Sequence, residues 1–131
     1  MEKKVITACN ECIVACERCS DLCDKLIKEI SQKKLTIKNE DMAHCYKQVI
    51  DTTQACIRAA REHLKQCNNK NCIEATEACI RKCEECSEIC QHCSLTCDTL
   101  NDSCQHALQK IKRLCDETVA ACDHCIENNC C

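Results

Sequence analysis

Core-type residues return along this chain at alternating steps of three and four, with charged and amide side chains filling the positions between them. Such steps keep a side chain on one stripe of an α-helix. The first stripe reads Cys9, Cys12, Cys16, Cys19 and Cys23 and runs out in Leu26, Ile27 and Ile30. The second reads Met42, Cys45, Val49, Thr52, Cys56, Ala60, His63 and Cys67. The third, preceded by Cys72, is Cys79, Cys83, Cys86, Cys90, Cys93 and Cys97, and the fourth is Cys104, Leu108, Ile111, Cys115, Thr118, Cys122 and Cys125. Four helices are therefore predicted, at about 2–31, 40–66, 72–98 and 102–127. Asn39 is the expected N-cap of the second, with Glu40 and Asp41 suited to its positive end. Asn71, with Glu74 three residues on, resembles a cap for the third. Helices near 28 residues are about 40 Å long. The short polar connectors between them favour antiparallel neighbours. The predicted fold is all-α: one domain, 1–131, forming an antiparallel up-down-up-down four-helix bundle with a cysteine-lined core.

In that arrangement Cys9, Cys12, His63, Cys67, Cys72, Cys79, Cys122 and Cys125 gather near one end. Leu26, Ile30, Met42, Cys45, Cys93, Cys97, Cys104 and Leu108 gather at the other. The segments CERCSDLC (16–23) and CEECSEIC (83–90) match in spacing and nearly in sequence, as in a duplicated helical hairpin.

Composition changes the picture in two ways. The 131 residues include 21 cysteines and no Gly, Pro, Trp or Phe. The usual helix breakers are missing, and sulfur takes over volume that a bundle core normally draws from Phe and Leu. Protonated cysteine packs as a small apolar group, but Ala or Leu would do that without the liability to oxidation. The net charge of −3 argues against nucleic acid, whose phosphates need a basic surface. No apolar run approaches the roughly 20 residues of a membrane span. The start, MEKKVITACNEC, lacks the apolar segment of a secretory signal. The expected location is the cytosol, where structural disulfides are rare and thiols in such number point to soft metal ions.

Metal ligation is the expected role of Cys9, Cys12, Cys16, Cys19, Cys23, Cys45, Cys56, Cys67, Cys72, Cys79, Cys83, Cys86, Cys90, Cys93, Cys97, Cys104, Cys115, Cys122 and Cys125. Cys130 and Cys131 follow the last helix as a tail. Met42 reads as core, and His63 as either an inward ligand or a buried hydrogen-bonding group. His44, His92, His106 and His124 read as surface. The end bearing Met42, His44 and His106 is the preferred entrance for metal, with the His63 end its competitor. Four thiolates around each Zn²⁺ would leave −2 per site, which is costly to bury repeatedly. Cu(I) is soft and monovalent, so each ion that replaces one thiol proton leaves the charge unchanged.

A four-helix bundle with inward CxxC and CxxxC repeats on its helices resembles the bacterial copper storage proteins. The resemblance spans the chain and rests on the combined first and third stripes. It implies a homotetramer of bundles, each holding many Cu(I) ions on thiolates, that stores or sequesters copper and is not an enzyme. The second stripe, with only Cys45, Cys56 and Cys67, departs from that pattern. The alternative reading is a cysteine-rich iron–sulfur or zinc-binding protein. The ferredoxin run of cysteines spaced by two and closed by Cys-Pro is absent. Adjacent cysteines on one helix face are badly placed for a disulfide dihedral near 90°. The stripes also lack the glutamates of a di-iron bundle.

Overall fold

A computed structural model describes residues 2–96 and 104–129. Four helices follow in order, α1 (Glu2–Gln32), α2 (Asn39–Leu64), α3 (Lys70–Thr96) and α4 (Cys104–Glu127), with no strand among the described residues. Each helix packs on its two neighbours, α1 on α2 and α4, α3 on α2 and α4. This is the square, antiparallel bundle that the stripes and connectors predict. α1, with 31 residues, is about 46 Å long and runs the length of the core.

The helix ends are built without glycine. α1 closes with Lys33 at φ 55°, where Lys33 N–H donates to Ile30 O and Lys34 N–H donates to Glu29 O, both at 3.1 Å. This is a Schellman closure, in which a left-handed residue lets the last carbonyls find donors. The Glu29 carboxylate then accepts from Thr36 N–H at 2.8 Å, Thr36 Oγ1 at 2.6 Å and Ile37 N–H at 3.1 Å. These bonds hold its carboxyl below the ordinary value of 4.5, the Thr36 hydroxyl being the largest cause.

Two predicted caps are displaced. Lys38, with extended backbone, is the N-cap of α2, and Asn39 is already helical. The lysine ammonium has no acceptor, so the cap works through the Asp41 carboxylate, which accepts Lys38 N–H at 3.2 Å. At α3 the cap is Asn69 rather than Asn71: Asn69 Oδ1 accepts Cys72 N–H at 3.0 Å.

At least one polar clasp crosses each helix interface. Arg18 donates to Gln48 between α1 and α2 at 3.1 Å, and Arg61 meets Glu84 between α2 and α3 at 3.0 Å. Lys82 meets Glu117 between α3 and α4 at 2.8 Å. Between α4 and α1, Ser20 Oγ donates to Asp116 at 2.5 Å while Lys112 donates to Ser20 Oγ at 3.1 Å. All four sit at the rim of the core, where such contacts set register more than they add stability.

Candidate metal centre

The stripes turn inward as their spacing predicts. All seventeen cysteines whose side chains are described are buried and unbridged. Cys97, Cys130 and Cys131 lie outside the described residues, and Cys104 begins α4 with its side chain outside them. No Asp, Glu, Lys or Arg is buried among the described residues; the buried polar side chains are Ser20, Thr53, His63, Thr76, Ser87 and Thr118. On α2 the inward threonine is Thr53, not Thr52. Both hydroxyls bond back along the helix, Thr53 Oγ1 to Val49 O at 2.6 Å and Thr52 Oγ1 to Gln48 O at 2.8 Å, so either could be satisfied in the interior and helix packing selects Thr53.

The sulfurs converge in layers. Cys9, Cys56, Cys79 and Cys122, one from each helix, have their sulfurs within 4.8 Å of one another. Individual separations are 3.6 Å for Cys9–Cys56, 3.8 Å for Cys56–Cys79 and 3.6 Å for Cys79–Cys122. Four sulfurs about 2.3 Å from a central ion stand about 3.8 Å apart in a regular tetrahedron, so this layer already has the size of a metal site. Cys122 is shared with a second group, Cys12 and Cys83, and a third group joins Cys16, Cys86 and Cys115. The Cys12 and Cys16 sulfurs, 3.9 Å apart, link the second group to the third. Beyond it, Cys19 interacts with Cys115, Cys23, Cys45 and Cys90. The result is a continuous column of thiols along the bundle axis. Cys56 and Cys115, which stand between non-cysteine positions in their stripes, both belong to it.

Thiol acidity is uneven along this column. Hydrogen bonds from Cys16 above all, then from Cys19, Cys86 and Cys90, hold the Cys115 thiol far below its ordinary value. Cys115 in turn is the largest cause pushing Cys16, Cys19 and Cys90 up. Cys12 is lowered, chiefly by Cys122, and Cys122 is raised, chiefly by Cys12. Cys125, at the fringe, is pushed up to about 11, with Cys79 as the largest cause. The pattern is physical: one sulfur in a cluster accepts charge and its neighbours donate to it, while a second charge alongside is repelled in a dry interior.

Beyond Cys79, at the end of the bundle where α1 begins, lies a separate group. His63 at the end of α2, Cys67 in the connector and Cys72 in the first turn of α3 have their ligand atoms within 4.8 Å, and His63 Nε2 is 3.2 Å from Cys72 Sγ. Between it and the column stands Thr76, whose Oγ1 lies 3.9 Å from Cys72 Sγ and 3.7 Å from Cys125 Sγ. His63 thus sits beside thiols, as the inward reading expects. Thr76 was not read from the sequence, although its place between Cys72 and Cys79 on the α3 stripe marks it.

The opposite end is apolar. Leu26, Ile30, Ile37, Met42, Tyr46 and Leu108 are buried there, and burial is the main cause pushing the Tyr46 phenol up. Met42 is packed in this plug, as core, while His44 and His106 are exposed. Cys97 and the side chain of Cys104, the thiols expected at this end, lie outside the described residues. His92 and His124 are exposed, as expected. No helix is long and apolar enough to cross a membrane among the described residues. Comparison with protein families, with curated proteins and with solved structures finds no match to the chain.

Proposed function

We propose that the chain stores or sequesters Cu(I), many ions per molecule, on the thiolates of its bundle core. The observation that carries this reading is the column itself: buried sulfurs spaced for metal, shared between neighbouring groups, in an interior without a buried cation or carboxylate among the described residues. The tetrahedral layer alone would take Zn²⁺ as well as copper, so the preference for copper is argued from charge. Every Zn²⁺ on four thiolates adds −2 to an interior with nothing to offset it, at a desolvation cost of several kcal/mol per ion. A Cu⁺ for each thiolate adds nothing. Sharing Cys122 between groups also suits a soft ion content with two or three sulfurs, and suits poorly a set of closed four-ligand sites.

The resemblance of the cysteine stripes to the bacterial copper storage proteins supports the same reading, including a cytosolic, non-catalytic role and assembly as a homotetramer. Light scattering of the reduced protein tests the assembly. The deciding experiment is an anaerobic titration of reduced protein with Cu(I) against a chromophoric chelator. Capacity should approach one ion per inward cysteine, about 19 equivalents, with about one proton released per copper. Saturation near five equivalents, or displacement of Cu(I) by Zn²⁺, would leave the zinc or iron–sulfur alternative in its place.

A further inference from the structure

The His63, Cys67 and Cys72 group differs from the column in donor type, connectivity and position. The sulfur groups of the column are chained together, through Cys122 and through the 3.9 Å contact of Cys12 with Cys16. The His63 group shares no residue with them. Its bridge to the column runs through the Thr76 hydroxyl, and Thr76 is fully buried. A hydroxyl oxygen is a hard donor and a poor stepping stone for Cu(I), so Thr76 divides two kinds of site.

We propose that His63, Cys67 and Cys72 form a second metal site, selective for a divalent borderline ion of the Zn²⁺ class, which stays occupied while the column holds copper. Charge supports the assignment. Two thiolates and a neutral imidazole balance a divalent ion to zero, the condition that the column meets only with a monovalent one. Donor chemistry supports it as well, since mixed imidazole and thiolate sets suit zinc. Geometry asks for little movement. Ordinary Zn–N and Zn–S lengths place the two ligand atoms about 3.6 Å apart in a tetrahedron, against 3.2 Å for His63 Nε2 and Cys72 Sγ.

The three ligands come from ten consecutive residues spaced H-x₃-C-x₄-C across the α2–α3 turn. The site therefore forms wherever that turn forms. Cys72 is held by the Asn69 cap on its own N–H, and the positive end of α3 favours a charged sulfur there. Cys67, 7% exposed against 0% for Cys72, is the member nearest solvent. Among the described residues the site has three protein ligands, one fewer than a closed structural zinc site.

The test uses reduced, full-length protein loaded anaerobically with about 17 equivalents of Cu(I), the 19 inward cysteines less Cys67 and Cys72, then exposed to Zn²⁺ or to Co²⁺ as a spectroscopic stand-in, desalted and assayed for both metals. The site predicts about one divalent ion retained per chain beside the copper, with Co²⁺ showing thiolate charge-transfer bands and tetrahedral visible bands. Cys67→Ser, in the connector, and His63→Ala should each weaken divalent binding at least tenfold and lower copper capacity little. Cys79→Ser should lower copper capacity by about one equivalent and leave the divalent ion in place. Circular dichroism of each variant separates loss of the site from loss of fold, and Cys67→Ser probes the site without altering a helix. Divalent binding that survives Cys67→Ser and His63→Ala but vanishes with Cys79→Ser would overturn the proposal and place the ion in the four-helix layer. Stoichiometric expulsion of the divalent ion by Cu(I) would overturn it too. The copper reading is judged separately, by the copper count in the unaltered protein.

Discussion

Cys122 is the corner of two sulfur groups, and replacing it by serine separates two rules for loading the core. The side chain is fully buried, and its sulfur sits 3.6 Å from that of Cys79. If charge sets capacity, with one Cu⁺ per thiolate, Cys122→Ser removes about one equivalent. The remaining Cys9, Cys56 and Cys79 still offer three sulfurs and Cys12 with Cys83 still offer two, enough for Cu(I). If capacity is instead a count of closed sites, losing Cys122 opens both groups and about two ions are lost together. Cys9→Ser is the control, because Cys9 belongs to one group alone and loses about one equivalent under either rule. The assay is the anaerobic Cu(I) titration with proton release followed in parallel. Stability needs its own measurement, by urea denaturation of the reduced apo proteins. A hydroxyl buried among weak thiol partners should cost about 1–3 kcal/mol, well short of unfolding the bundle. A loss of two equivalents from Cys122→Ser beside one from Cys9→Ser would refute the charge rule. An unchanged capacity in both would refute the assignment of these sulfurs as ligands.

Three further outcomes follow from the same structure. Lys33 pays for its left-handed backbone without glycine's freedom, so Lys33→Gly should stabilise the apo protein by about 0.5–1 kcal/mol once the extra chain entropy of glycine is subtracted, measured by chemical denaturation. Glu29 has a lowered carboxyl pKa, so its contribution is present above the ordinary value of 4.5 and is lost as pH falls through the folded value. Wild type should therefore lose more stability than Glu29→Gln between neutral pH and that acid range, and parallel pH profiles would contradict the turn's hydrogen bonds. Reduced, metal-free protein should show strong helical circular dichroism, because protonated thiols and the apolar plug already make a core; a coil spectrum that becomes helical only with copper would show that metal drives folding, as it does in zinc fingers.

What the sequence determined alone was periodicity and its consequences. Steps of three and four without glycine or proline dictate long helices, and short polar connectors dictate antiparallel neighbours. The stripe residues then have nowhere to go but inward, so the burial of cysteines as isolated as Cys56 and Cys115 was legible from their register. Local competition was less legible. Lys38 and Asn69 cap their helices in place of Asn39 and Asn71, because single hydrogen bonds settle such choices within one or two residues; Thr53 turns inward instead of Thr52 although both hydroxyls bond back along the helix, so packing makes that choice. The tertiary structure alone decided which sulfurs meet. Whether Cys9 faces Cys56, or Cys122 is shared between two layers, depends on the axial offset of four helices, and that offset comes from packing and rim contacts such as Ser20 with Asp116. It also decided that Met42 is buried in the core and that Thr76 stands between the His63 group and the column. A stripe records the direction in which a side chain points; only the docking of the helices sets its height along the axis.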